Sequence, residues 1–109
     1  MSLKKFQQAM NVLRMLDPNM PMATVSAFVE ICQHDDIEMK DLQERADLSY
    51  SSLSRAVASL SDKHWIKKSN KEGLGLIETF ESEEDRRRKL VRLTQKGRSM
   101  KSTIEELLT

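Results

Sequence analysis

The side chains best suited to a binding chemistry are concentrated in one basic segment near the end of the chain. From Asp85 to Lys101 the sequence has eight basic residues and one acidic residue, a net charge of +7, whereas the whole chain carries only +1. Such a segment attracts phosphate even when the protein is nearly neutral, but without structural context it is more often only a solvated loop. The basic residues are Arg86, Arg87, Arg88, Lys89, Arg92, Lys96, Arg98 and Lys101.

Other kinds of reactive site find little support in the sequence. Cys32 is the single cysteine, so the chain cannot form an internal disulfide, and with His34 and His64 it lacks the spacing of a zinc site. Neither histidine has a nucleophile or a carboxylate at a recognisable spacing, and the three glycines form no phosphate-binding loop. We therefore expect no enzyme activity, no metal and no cofactor.

Size and composition predict a single folded domain over residues 1–109. The mass of 12.6 kDa leaves room for one hydrophobic core. Apolar residues make up 39% of the chain and charged residues 32%, as in a packed core under a highly solvated surface. No apolar run exceeds three residues, which argues against a membrane span or a secretory segment. We expect a cytoplasmic protein.

Four helices are predicted in the first part of the chain, from apolar residues that recur at steps of three and four. Their expected bounds are 3–16, 21 to about 34, about 40–45 and 50 to about 63. The second helix should have Pro21 at its first position and should bury Val25, Phe28, Val29 and Cys32. A short extended link at residues 37–39 precedes the third helix.

Short apolar runs then predict strands. The expected strands are 65–68, 74–80 and 90–94, with a highly charged turn at 81–89 before the last of them. Ser49 and Thr94 are suitable N-caps for the fourth helix and for a final helix that ends near residue 108.

This order of elements is that of a winged helix-turn-helix, a mainly α fold with a small β-hairpin wing (α+β). The helix at 40–45 braces the helix at 50–63, which fits the major groove of DNA, while a basic hairpin lies along the neighbouring backbone or minor groove. Arg55 is long enough for a bidentate contact with a guanine edge. An ion pair between Arg55 and Asp62, or another carboxylate, is the alternative interpretation.

Three stretches of the sequence carry more specific patterns. Residues 41–49 form one, residues 52–60 another, and residues 85–97 contain an Asp-any-Arg pattern followed by a Leu-Thr pair and a glycine. The residues in that last pattern are Asp85, Arg87, Leu93, Thr94 and Gly97. Together the stretches resemble the multiple antibiotic resistance regulator (MarR) family of winged-helix transcription factors, over roughly residues 20–97.

The resemblance implies a sequence-specific regulator, a repressor, that binds double-stranded DNA. The residues implied to face the major groove are Ser51, Ser52 and Arg55. Arg87 is implied to enter the minor groove at the wing tip, with Asp85 holding the wing's arginines in shape and with Arg86 and Arg88 at phosphates. The expected DNA-binding residues are Lys40, Ser49, Tyr50, Ser51, Ser52, Arg55, Asp85, Arg86, Arg87 and Arg88.

The terminal helices, about 3–16 and 94–108, carry apolar stripes that need to be buried. Pairing them across a two-fold axis predicts a homodimer, which would occupy an inverted repeat. The last helix is shorter than is usual in the family, so we expect a short member with a reduced dimerisation region. The resemblance also leaves open a small-molecule effector bound between the domain and the dimer helices.

Two alternatives qualify this interpretation. Cys32 is expected to be inert core packing, although single cysteines sense oxidants in some members of the family. Glu81, Glu83 and Glu84 would repel phosphate unless they face away from the duplex. The rival hypothesis is therefore a winged-helix module that docks on another protein and has no sequence-specific DNA binding.

Overall fold

The computed structural model describes residues 2–61 and 73–109. Within these ranges the chain forms helices and short strands in an order that agrees with the winged helix-turn-helix prediction. The elements are α1 (Leu3–Leu16), α2 (Met22–Cys32), β1 (Ile37–Glu38), α3 (Met39–Ala46), α4 (Tyr50–Leu60), β2 (Ile77–Glu81), β3 (Lys89–Leu93) and α5 (Gln95–Leu108). The predicted strand at 65–68 lies outside the described residues.

Three of the helices have a serine or threonine as the N-cap residue. The Ser49 side chain accepts a hydrogen bond from the backbone N–H of Ser52, and the Thr94 side chain accepts one from Gly97, so both predicted N-caps are confirmed. Ser2 caps α1 in the same way. Each hydroxyl satisfies a backbone donor that has no partner inside its own helix.

The α2 helix differs from its prediction in two details. Pro21 is the N-cap residue, in extended conformation, and not the first helical residue. Val29, which was expected to be buried, is 45% exposed. The buried residues are Thr24, Ala27, Phe28 and Ile31, whose spacing of three, four and seven from Thr24 places them on one face, so Val29 is turned toward solvent.

The core forms where α2, α3 and α4 meet the inner face of the sheet. Its largest fully buried side chains are Phe28, Ile31, Leu42, Leu53, Leu60, Leu76, Ile77 and Val91. Burial of each such side chain contributes about 1.5–3 kcal/mol. The helices that carry the candidate site are therefore fixed by hydrophobic packing.

A three-stranded antiparallel sheet, in the order β1-β3-β2, joins the wing to the helices. The predicted hairpin is β2 and β3, and β1 adds a third strand because the predicted extended link pairs with β3, with Ile37 opposite Val91. Both of these side chains are buried. The wing, defined as β2, residues 82–88 and β3, is thereby attached directly to the segment that leads into α3.

Residues 74–76 form hydrogen bonds with the end of α4 and with the residue before α5. They are not part of a strand, although a strand was predicted at 74–80. The N–H of Leu76 donates to the Leu60 carbonyl over 2.8 Å, and the Leu76 carbonyl accepts from the N–H of Thr94 over 3.0 Å. Gly97 lies so close that a Cβ at this position would overlap the carbonyl oxygen of Leu76. These bonds replace strand pairing, so β2 begins only at Ile77.

The two terminal helices pack against each other as a pair. The Lys5 ammonium, near the start of α1, donates to the carbonyl of Thr109 at 2.6 Å, so α1 and α5 run antiparallel. Leu3, Phe6 and Met10 of α1 remain 86%, 45% and 40% exposed. This terminal helix pair thus presents apolar side chains that the single chain does not cover. No helix in the described ranges is long and apolar enough to cross a membrane.

Candidate nucleic-acid interface

The helix-turn-helix is formed by α3, the turn 47–49 and α4. Asp47 ends α3 in the left-handed conformation, with φ of 53°, which a short polar side chain tolerates better than a bulky one. The α4 helix ends at Leu60 and not near Lys63, because Ser61 leaves helical geometry and its hydroxyl donates to the Val57 carbonyl. The shorter helix still has exposed residues in its first half, namely Tyr50, Ser51 and Arg55.

The face of α4 that is not buried carries small hydroxyls and one cation. Its buried residues are Leu53, Ala56, Val57, Ala58 and Leu60. Ser51 and Arg55 are exposed, whereas Ser52 is partly buried. Ser49 is the N-cap, and its Oγ lies 3.0 Å from Ser52 Oγ and 3.3 Å from Ser51 Oγ. The three predicted serines therefore form one cluster, in which Ser49 acts mainly on the helix start.

Arg55 and Tyr50 project from the same end of α4. Tyr50, the first helical residue, is 68% exposed. Within the part of the chain that the structure describes, no carboxylate lies within ion-pair distance of Arg55. Asp62, the partner in the alternative interpretation, lies outside the described residues. Within the described structure, the exposed Arg55 side chain is thus available to a ligand on this side of α4.

The tip of the wing is organised by Asp85. Its Oδ1 accepts a hydrogen bond from the backbone N–H of Arg87 at 3.0 Å and lies 3.4 Å from Arg87 Nε. At the base of the loop the N–H of Ser82 donates to the Arg88 carbonyl over 2.9 Å. The Arg87 side chain is 93% exposed. Asp85 therefore contacts both the backbone and the side chain of Arg87, whose guanidinium remains exposed to solvent; that this contact serves DNA binding stays a prediction.

The other two arginines of the loop differ from each other. Arg86 is exposed. Arg88, in contrast, is not a free cation, because its Nη2 lies 3.3 Å from Glu38 Oε2. Arg88 thus already has a carboxylate partner, and its contact with phosphate stays a prediction. The ion pair joins the wing to β1 across the sheet.

A groove of about 680 Å³ lies between α3, α4 and the wing. Both apolar and basic side chains line it. The residues that line it are Glu38, Met39, Lys40, Gln43, Tyr50, Leu53, Ser54, Arg55, Val57, Ala58, Thr79, Arg87 and Lys89. The described lining thus brings together four basic residues and one acidic residue, which gives the groove a positive potential.

Four of the predicted DNA-binding residues, Lys40, Tyr50, Arg55 and Arg87, line this groove. The three predicted serines lie at the start of α4, and Asp85, Arg86 and Arg88 lie in the wing loop. Glu38, Gln43, Ser54, Thr79 and Lys89 also line the groove and were not among the predicted residues. Of these, only Lys89 had a signal in the sequence, as part of the basic run.

The acidic residues of the wing do not line the groove. Glu81, Glu83 and Glu84 are all exposed, and none is part of the described lining. Their charge therefore acts on an anion in the groove from outside it, where solvent and salt screen it most strongly. These three carboxylates therefore do not lower the positive charge of the described groove lining itself.

Cys32 lies away from the groove, in the contact between α2 and the rest of the core. Burial raises the pKa of its thiol to about 11, with a smaller opposing effect of Lys101 and a further increase caused by Glu105. Because the thiolate is the reactive form, little of it is present near neutral pH. The structure therefore favours inert packing over oxidant sensing. No group of residues in the described ranges has the composition of a metal site.

Comparison with solved structures agrees with the fold described above. No family model matches the sequence, and no curated protein matches it either. Among solved structures, the transcriptional regulator PA4135 has a TM-score of 0.67 at 18% identity, with coverage of 97% of this chain and 71% of that one. MarR has a TM-score of 0.63 at 18% identity, with coverage of 99% and 76%.

A third structure is that of a mutant MarR from E. coli complexed with operator DNA. Its TM-score is 0.63 at 20% identity, and the match covers 96% of this chain and 69% of that one. Likeness at such low identity establishes the fold, and it agrees with the order of helices, sheet and wing described above. The chain is a MarR-like winged helix.

Proposed function

We propose that the protein is a sequence-specific transcriptional regulator that binds double-stranded DNA as a homodimer. The observation that carries the proposal is the groove between α4 and the wing, where Lys40, Arg55, Arg87 and Lys89 converge. The likeness to a MarR structure that contains operator DNA supports the same use of this face. A basic groove bounded by a helix and a hairpin matches the grooves and phosphates of a duplex.

In this proposal α4 reads the major groove. Its diameter suits the groove width of about 12 Å. Arg55 makes a bidentate contact with a guanine edge, and the exposed hydroxyl of Ser51 contacts a base or a phosphate. Ser49 fixes the start of the helix, whose unpaired backbone N–H groups favour a phosphate. Tyr50 and Lys40 contact the backbone beside it.

The wing supplies the second set of contacts. Arg87 enters the neighbouring minor groove, where a narrow groove strengthens the negative potential and favours arginine. Arg86 contacts a phosphate, and Asp85 keeps the loop in shape. Because most of these contacts are to phosphate, the affinity should depend strongly on salt.

The terminal helix pair forms the dimer interface in this proposal. Leu3, Phe6 and Met10 are exposed on α1, and a two-fold contact buries them without any other partner. Two copies of α4 then face an inverted repeat with half-sites about one helical turn apart. Occupation of such a site next to a promoter represses transcription by occlusion.

Selection of bound sequences from a randomised duplex pool tests the DNA-binding part of the proposal. The expected result is an enriched inverted repeat that the double variant Arg55→Ala, Arg87→Ala no longer selects. Arg14→Ala is the matched control, because Arg14 is also an exposed arginine but lies on α1. Recovery of no consensus by the unmodified protein would contradict the proposal and favour docking on a protein.

Light scattering tests the homodimer separately. We expect a dimeric mass at micromolar concentration and a monomeric mass for Phe6→Glu, which places a charge in the proposed interface. Lys4→Glu is the control, since Lys4 is an exposed polar residue of the same helix. A monomeric mass for the unmodified protein would contradict the dimer.

A further inference from the structure

The ion pair between Arg88 and Glu38 joins the wing loop to the helical part of the protein. Arg88 Nη2 lies 3.3 Å from Glu38 Oε2, and the two side chains are 46% and 24% exposed. Arg88 belongs to the wing loop, whereas Glu38 is the residue immediately before α3. The pair therefore connects the wing loop to the segment that leads into α3, and of its two members Glu38 belongs to the described lining of the groove.

The backbone around each partner is also fixed. The carbonyl of Arg88 accepts from the N–H of Ser82, and the N–H of Arg88 donates to the carbonyl of Asp85, both over 2.9 Å. Glu38 lies opposite Leu90 in the pairing of β1 with β3. The side-chain contact thus connects two backbone segments that are each held by their own hydrogen bonds.

The two partners raise a charge question for DNA binding. Glu38 is the acidic residue in the described lining of the groove, where an unpaired carboxylate would repel phosphate. If Arg88 left Glu38 to contact a phosphate, it would leave that carboxylate exposed to the same duplex. Retention of the pair neutralises Glu38 and at the same time fixes the base of the wing.

We propose that Glu38 and Arg88 are positioning residues, which set the angle of the wing relative to α4 and do not themselves bind DNA. The inference rests on the proposed DNA-binding function, and it assigns to Glu38 a role that supports binding despite its negative charge. Through the wing loop the pair places Arg87, whose side chain reaches the groove.

The sign of the effect of Glu38→Ala on DNA affinity distinguishes positioning from charge. Removal of a carboxylate near phosphate should by itself raise the affinity. The positioning role predicts a loss of about threefold, the size expected for a partly exposed ion pair. Glu83→Ala is the matched control, since Glu83 is an exposed acid of the wing loop, and its removal should raise the affinity slightly. A gain of affinity in Glu38→Ala would overturn the proposal.

An exchange of the two charges tests the role of Arg88. Arg88→Glu alone should weaken binding, and addition of Glu38→Arg should restore part of the loss because the ion pair forms again in the opposite sense. Because Glu38→Arg alone also adds positive charge to the groove, the single variant is the reference: if Arg88 contacts phosphate directly, Glu38→Arg raises the affinity of Arg88→Glu by no more than it raises that of the unmodified protein. That outcome would overturn the proposal.

Amide hydrogen exchange without DNA gives a readout that does not depend on the proposed function. In Glu38→Ala the amides of Ser82 and Arg88 should exchange several-fold faster than in the unmodified protein, while those of α4 remain unchanged. Unchanged exchange of the wing amides would overturn the positioning role, whether or not the protein binds DNA. Failure of the unmodified protein to bind duplex DNA would instead contradict the proposed function alone.

Discussion

The two sides of the groove, α4 and the loop 82–88 of the wing, are held in place by different interactions. The α4 helix buries five of its residues in the core, whereas Ser82 is the buried residue of the loop 82–88. The loop keeps its shape through hydrogen bonds and ion pairs, such as those of Asp85 with Arg87 and of Arg88 with Glu38. Substitutions of the buried residues of α4 should therefore affect folding, whereas substitutions of the exposed residues in the loop 82–88 should mainly affect binding.

The largest effect is expected inside α4. Leu53 is 1% exposed, so Leu53→Ala removes buried apolar surface and leaves a cavity, at a cost of about 2–5 kcal/mol in the free energy of unfolding. Urea denaturation followed by circular dichroism measures the change. Ser51→Ala, on the exposed face of the same helix, should change this free energy by no more than about 0.5 kcal/mol. Similar losses in both variants would refute the division between the two faces.

The next effect concerns specificity. Arg55→Ala should reduce discrimination at one base pair by about 1–3 kcal/mol, and Arg87→Ala should weaken binding to all sequences and lower the slope of log affinity against log salt by about one. Titrations of a duplex and of single-base variants at several salt concentrations give both quantities. If the two variants lose specificity at the same base pair, the assignment of α4 and the wing to different grooves is wrong.

A smaller effect is expected at the start of α4. Ser49→Ala removes the side-chain oxygen that accepts from the Ser52 N–H, which should lower the free energy of unfolding by about 1 kcal/mol. Ser49→Asp keeps an acceptor at this position and serves as the control. Thermal unfolding compares the three proteins, and equal stability of the alanine and aspartate variants would argue against the capping role.

The smallest effect belongs to the tip of the wing. Asp85→Ala frees the backbone and side chain of Arg87, and we expect about a twofold loss of DNA affinity, as for a weak exposed hydrogen bond. The free energy of unfolding should stay within about 0.5 kcal/mol of the unmodified protein. Asp85→Asn retains an oxygen for the Arg87 N–H and should bind nearly as well as the unmodified protein. A marked loss of stability in Asp85→Ala would show that the loop 82–88 contributes to the stability of the fold.

The same contrast explains what the sequence predicted. The helices α1 to α5 and the caps Ser49 and Thr94 follow from apolar spacing and from local hydrogen-bonding chemistry, both of which are visible in a single chain. Val29 was predicted to be buried because α2 has apolar residues along two neighbouring faces. The predicted face and the observed buried face are offset by about one residue, and only packing against the core selects between them. The shorter α4 follows from the bonds that Ser61 makes.

The partners of the charged residues could not be predicted. The pair of Arg88 with Glu38 joins residues that are 50 positions apart, and it depends on the register of β1 against β3. Likewise, Thr79 and Gln43 reach the groove only because the folded sheet and α3 meet there. Arg55 and Arg87 line the groove on elements where the family pattern already places them, and Lys40 and Tyr50 lie at the predicted starts of the third and fourth helices.

The short segment 74–76 has a mechanical consequence. Leu76 is bonded to Leu60 at the end of α4 and to Thr94 at the start of α5, and the close approach of Gly97 leaves no slack at this point. We therefore expect that a change in the tilt of α5 moves this segment and, through the Leu76 hydrogen bonds, also moves the end of α4. In a dimer built on the terminal helix pair, the angle between the two α5 helices would therefore determine the distance between the two copies of α4.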